Sequence, residues 1–104
     1  MNEVVILIAT PSYEEGEKIA RALVETRLAA CVSVLPGVTS FFSWEGKLSM
    51  ETEVLLIVKS KRELFQKLCE AVKKIHSYSV PEIIALPIVE GASDYLKWVG
   101  EHVG

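Results

Sequence analysis

The chain has 104 residues, half of them hydrophobic, and a formal net charge of −3 at pH 7. That length fits one domain over residues 1–104, which can bury a core without a disulfide or a structural metal. The acidic balance argues against a nucleic-acid or anionic-membrane partner, since both require a basic patch. The apolar run 4–9 is too short for a signal-peptide core or a membrane span, so we expect a cytoplasmic protein.

The first two predicted elements are a buried strand and an amphipathic helix. Residues 3–10 form a continuous run rich in Val and Ile, which is typical of a central strand covered on both faces. Ser12 and Glu15 have the spacing of a capping box, in which each side chain bonds the other's backbone N–H, and they predict a helix start after Pro11. The apolar stripe of this helix contains Ile19, Ala20, Leu23 and Val24.

The stretch 29–60 predicts a long β-hairpin. One strand covers 30–44, with Pro36-Gly37 inside it, and the other covers 53–59. The connection contains Glu45-Gly46-Lys47, which includes the Gly that a tight hairpin turn favours.

The hairpin carries apolar residues on both of its faces. Phe41 points to one side of the pleat, while Phe42 and Trp44 point to the other. A helix layer can cover only one of these faces. We therefore expect a homo-oligomer with Phe41, Phe42 and Trp44 in its interface.

The second half of the chain repeats the pattern of helix and strand. Ser60 and Glu63 again have capping-box spacing and predict a second helix, with an apolar stripe at Leu64, Phe65, Leu68, Cys69, Val72 and Ile75. Residues 82–89 predict a fourth strand with Pro87 at an edge or a bulge. Residues 91–94 cap a last short helix.

The element order predicts an α+β fold of the ferredoxin-like, split βαβ kind. Its sheet is rich in antiparallel pairs, and the two crossover helices lie on one face. The other face of this apolar sheet is left open, which independently favours an oligomer. Three such sheets packed by their open faces make a trimer.

Residues with reactive side chains are few, and no common catalytic motif is present. Cys31 and Cys69 lack the CxxC spacing and are predicted to be small buried hydrophobes. His76 follows the second helix, either as a residue favoured by the helix dipole or as a metal ligand. Trp44 and Tyr78 either line a small-molecule cleft between subunits or pack in an interface. Lys59 either faces an anionic ligand or extends to solvent.

Five segments resemble the CutA family of divalent-cation tolerance proteins, in the same order along almost the whole chain. They are Arg27–Val32, Trp44–Lys47, Leu55–Lys59, His76–Ile84 and Tyr95–Trp98. The resemblance implies a ferredoxin-like subunit and a homotrimer similar in build to the PII signalling proteins. It also implies an association with tolerance of copper and other divalent metals.

Some residues of this chain match the family's characteristic residues and others do not. His76 matches the histidine of the family's His-Pro-Tyr-x-x-Pro-Glu segment, with Ser77 in place of the usual proline. Copper ligands proposed within the family fall on Ile8, Ile75 and His76, so His76 is the one candidate metal ligand. Cys31 matches a cysteine of the family's second strand.

The function expected from the sequence is a cytoplasmic homotrimer that binds copper or another divalent metal and is not an enzyme. The alternative is a PII-like sensor with a ligand cleft between subunits, formed by Cys31, Trp44, Lys59, Tyr78 and Glu82. An enzyme that uses these cleft residues is a third possibility.

Overall fold

A computed structural model describes residues 2–104 and contains four strands, three α-helices and one turn of 3-10 helix. In chain order the elements are β1 (Glu3–Thr10), α1 (Tyr13–Glu25), β2 (Cys31–Trp44), β3 (Lys47–Lys61), the 3-10 turn (Arg62–Leu64), α2 (Phe65–Ile75), β4 (Ile83–Pro87) and α3 (Ser93–Glu101). No helix in the described part of the chain is both long and apolar enough to cross a membrane.

The four strands form one sheet in the order β2-β3-β1-β4, and every neighbouring pair is antiparallel. The α1 crossover joins β1 to β2 with β3 between them, and the α2 crossover joins β3 to β4 with β1 between them. This is the predicted α+β, split βαβ arrangement. Pro87, the last residue of β4, lies on an edge strand as predicted.

The core lies between the sheet and the two crossover helices. Alternate residues of β1 point to this helix face, and Ile6 and Ile8 are fully buried against Leu23 of α1 and Val72 of α2. Three of the four residues predicted for the α1 stripe are buried, but Val24 is 43 % exposed because it lies beyond the line of contact with the sheet.

The opposite side of the sheet, named here the open face, is only partly covered. It presents the other residues of β1 and their cross-strand neighbours, including Leu7, Ile57 and Ile84. Helix α3 lies at one end of this face, since a Cβ on Gly100 would be 3.2 Å from Cε of Lys61. The rest of the face has no covering element in the described chain.

The hairpin is longer than the sequence predicts. β3 begins at Lys47 and not at residue 53, and it pairs with β2 from Trp44↔Lys47 to Cys31↔Lys59. The two residues between the strands, Glu45 and Gly46, have φ of 51° and 77°, the left-handed values that a two-residue type I′ turn requires. This turn fixes the register, so the polar residues that follow it are held in the strand by their ladder hydrogen bonds.

A bulge interrupts the hairpin between Leu35 and Val38. Pro36 and Gly37 together oppose the single residue Val54, and Gly37 has φ of 78°. The bulge keeps Phe42 and Trp44 on the open face and leaves Phe41 on the other side, as the alternation predicts.

The predicted capping box at Ser60 is wrong. Ser60 is a fully buried residue of β3, and its hydroxyl donates to the carbonyl of Leu28 at 2.6 Å. The chain enters α2 through the 3-10 turn, and no side chain caps that helix. The Ser60 hydroxyl, which the local spacing predicts as a cap of α2, therefore forms a long-range hydrogen bond instead.

Two other predicted helix starts are corrected in part. Ser12 does cap α1, since its Oγ accepts from the Glu15 N–H at 3.2 Å, but the Glu15 carboxylate turns to the loop after α2. Helix α3 starts without a side-chain cap. The fourth strand is also shorter than predicted and covers Ile83–Pro87.

Candidate functional site

His76 is the residue directly after α2, and its imidazole is completely buried. Its Nε2 lies 2.7 Å from the carbonyl oxygen of Ala9, and the Tyr78 N–H donates to its Nδ1 at 3.0 Å. A carbonyl oxygen can only accept, so Nε2 carries the proton and Nδ1 supplies the lone pair. The neutral ring therefore uses both nitrogens to join the end of β1 to the loop after α2.

Glu15 completes this junction. Its Oε2 accepts from the Ser77 N–H at 3.0 Å and lies 3.3 Å from Nδ1 of His76. The first turn of α1, the end of β1 and the loop 76–78 are thus tied together. Sequence reasoning missed Ala9 and the loop contact of Glu15, because both partners are more than 60 residues from the loop and no short spacing connects them.

The surroundings of His76 do not form a metal site within one subunit. Its one lone pair already accepts from the Tyr78 amide, and residues 2–104 contain no group of three or more His, Cys, Asp or Glu placed to hold a metal ion. Ile8 and Ile75 supply no donor atoms. A metal at this ring has to displace the Tyr78 N–H from Nδ1.

Tyr78 extends from the same loop to the hairpin. Its hydroxyl donates to Oε2 of Glu53 at 2.9 Å. Burial of the phenol, this hydrogen bond and the nearby charges of Glu53 and Glu51 raise the pKa of Tyr78 to about 12, from an ordinary 10.0. The phenol therefore stays protonated at any physiological pH and acts as a donor.

Beside this contact is a shallow depression of about 210 Å³ on the open face, named here the acidic depression. Glu53 and Glu82 are its two charged residues. The remaining lining residues are Leu7, Ala9, Val38, Ser40, Val54 and Leu55. The depression has the polarity to accept a cation or a hydrogen-bond donor, and it disfavours an anion.

Lys59 lies at the other end of the open face. Its Nζ donates to Oγ of Ser33 at 3.1 Å and lies 3.8 Å from Sγ of Cys31, the residue opposite it on β2. Both cysteines are free and half-buried, so they are less buried than the sequence predicts. Burial raises the pKa of the Cys69 thiol on α2.

One subunit does not bring the five predicted cleft residues together. Cys31 and Lys59 are neighbours, and Tyr78 and Glu82 flank the acidic depression near Glu53. Glu53 is six residues from Lys59 along β3, which is about 20 Å of extended strand. Trp44 is opposite Lys47, about 20 Å further on. All three locations nevertheless share the open face.

The predicted interface residues of the hairpin are largely uncovered in the single chain. Phe41 is 65 % exposed and Trp44 is 63 % exposed, with Phe42 less so. The structure adds Leu48 and Met50 of β3, which lie across from Ser43 and Phe41 and are also exposed. Sequence reasoning missed these two because it began the second strand of the hairpin at residue 53.

Comparison with known proteins extends the resemblance to the whole fold. The family model described as CutA1 divalent ion tolerance protein matches residues 4–102. A divalent-cation tolerance protein CutA from Thermus thermophilus is 52 % identical over 98 % of this chain and 99 % of its own length. The Thermus structure has a TM-score of 0.96 at the same identity and coverage. The structure named as the periplasmic divalent cation tolerance protein CutA from Archaeoglobus fulgidus has a TM-score of 0.94 and 45 % identity, and the match covers 98 % of this chain and 99 % of that one. The chain therefore belongs to the CutA family of divalent-cation tolerance proteins.

Proposed function

We propose that this protein acts in the tolerance of divalent cations, copper among them, as a homotrimeric binding protein and not as an enzyme. Membership of the CutA family is the observation that carries the proposal. The relatives are named for cation tolerance, and the match covers nearly the whole chain, so no separate domain is needed for that role.

The open face supports assembly. Leu35, Ile84 and Leu86 lie on it and are each between 45 and 49 % exposed, and Phe42 and Trp44 lie on the same face further along the hairpin. Contiguous apolar surface of this kind marks an interaction site in a water-soluble chain. Copies of the same chain arranged around a three-fold axis cover it without any other partner.

Direct copper binding at His76 remains a prediction from the family resemblance. It requires the ring to release the Tyr78 amide, with Glu15 as the nearest carboxylate. The cytoplasm likewise remains the predicted compartment, although one relative is named as periplasmic.

The proposed role can be tested by complementation. A bacterial strain that lacks its own CutA protein is supplied with this chain or with an empty vector, and growth is followed in rising copper concentrations. We expect the chain to raise the inhibitory copper concentration. Equal growth of the two strains at every concentration would overturn the proposed role.

Metal binding is tested separately by titrating the purified protein with Cu(II). His76→Ala removes the candidate ligand, and His102→Ala is the matched control, because His102 is an exposed histidine at the end of α3. Binding lost in His76→Ala and kept in His102→Ala supports direct coordination. Unchanged binding in both variants excludes His76, provided that circular dichroism shows both to be folded.

A second candidate function is a PII-like sensor. The observation that favours it is the acidic depression beside the Tyr78–Glu53 hydrogen bond. Its charge points to a cationic or amine-bearing small molecule. A thermal-shift screen of such compounds tests the role, and stabilisation that disappears in Tyr78→Phe supports it.

A further inference from the structure

The last part of the chain, residues 93–104, covers one end of the open face and is named here the strap. A Cβ on Gly100 would be 3.2 Å from Cε of Lys61 on β3 and 3.6 Å from Oε2 of Glu3 on β1. The strap therefore lies over the end of the sheet where β1 begins and β3 ends. Its buried side chains are Leu96, Val99 and Val103.

The helix of the strap has little stability of its own. α3 has nine residues, whereas isolated helices shorter than about 12–15 residues are only marginally stable in water. In the described chain no side chain caps its start, and its last turn carries no basic residue. Residues 89–92, which join it to the sheet, are all exposed. Contacts with the rest of the subunit therefore decide whether the strap is docked.

Arg27, between α1 and β2, holds the far end of the strap. Its Nε donates to the carbonyl oxygen of Gly104 at 3.1 Å, and its Nη2 donates to the carbonyl oxygen of Glu101 at 3.0 Å. The Gly104 N–H donates to the Arg27 carbonyl at 2.9 Å. Within residues 2–91, Arg27 alone forms hydrogen bonds with the strap. Its guanidinium also places a positive charge at the C-terminal end of α3, where the helix dipole favours one.

The backbone of Arg27 has a conformation that favours glycine. Its φ is 61°, in the left-handed region, and it directly follows Thr26 at the end of α1. Gly is the usual residue at such a helix end, because a residue with a Cβ adopts this φ only at a cost in free energy. The bonds from the guanidinium to the strap offset that cost, and a glycine would lack them.

We propose that Arg27 is a latch that holds the strap on the sheet, and that the strap opens as a unit when the latch is broken. Opening uncovers the end of the open face at Glu3 and Lys61, together with the apolar side chains of the strap. The rest of the subunit stays folded, because the core cluster of the described residues contains no residue of the strap. This device goes beyond the proposed cation role and requires no metal.

Amide hydrogen exchange measured by mass spectrometry tests the latch. Arg27→Gly removes the guanidinium and relaxes the backbone at the same position, so any loosening of the strap comes from the lost side chain. Arg21→Ala is the matched control, because Arg21 is an exposed arginine of α1 whose ion-pair partner, Glu17, lies on the same helix. The three proteins are compared at one concentration and one pH.

We expect peptides from residues 93–104 to exchange about tenfold faster in Arg27→Gly than in the wild type, in line with the loss of hydrogen bonds from a charged donor. Peptides from β1 and β3 keep their wild-type rates, and Arg21→Ala changes neither region. Unchanged exchange of the strap in Arg27→Gly would overturn the latch. Equal acceleration in β1 and β3, or an Arg27→Gly protein that does not fold, would overturn the strap as a separate unit.

Discussion

At the scale of single residues, the junction around His76 shows what sequence can and cannot reveal. Its place at the end of α2 is predicted from the helical pattern. Its partners are not, because the Ala9 carbonyl and the Glu15 carboxylate come from the other half of the chain. A buried histidine with both nitrogens bonded has the same local sequence as a metal-binding one.

Tyr78 gives a residue-scale prediction about pH. Its pKa is about 12 in the folded protein and 10.0 ordinarily, so the folded state binds this proton more tightly. Its contribution to stability is fully present below pH 10 and is lost as the pH rises toward 12. We expect the difference in ultraviolet absorbance between wild type and Tyr78→Phe to show tyrosinate forming near pH 12. A transition near pH 10 would contradict the half-buried hydrogen bond from Tyr78 to Glu53.

At the scale of elements, the hairpin and its turn were predictable, but its length was not. The apolar residues of 53–59 mark a strand by composition alone. Residues 47–52 mix polar and apolar side chains, and pairing with β2 is what makes them a strand. Ser60 does not cap α2 for a related reason, because its hydroxyl forms a long-range hydrogen bond with the Leu28 carbonyl instead of a local one with the helix backbone.

The two-residue turn between β2 and β3 gives a testable prediction about the stability of the subunit. Gly46 has a backbone φ of 77°, which a residue with a Cβ adopts only at a cost in free energy. A Cβ built at this position has no heavy atom within 4 Å, so the cost comes from the backbone and not from a steric clash with another residue. Gly46→Ala should destabilise the subunit by about 1 kcal/mol, while Gly46→Asn should cost clearly less, because Asn tolerates the left-handed region. Urea unfolding at one fixed protein concentration measures both. Equal stability of the Ala and Asn variants would show that φ is not the limiting factor.

At the scale of the whole molecule, the order of elements was sufficient to predict the split βαβ sheet, and the ordered segments were sufficient to predict the family. The separation of the cleft residues along the open face was not predictable. The strand register decides that separation, and the register depends on the bulge at Pro36-Gly37 and on the turn at Glu45-Gly46.

The central claim is that the open face and the hairpin are covered by other copies of the chain. The most direct test is native mass spectrometry of the untagged protein over a range of dilutions. We predict that the trimer is the main species at every dilution, with no appreciable dimer. A monomer or a two-fold dimer as the stable species would contradict the three-fold assembly.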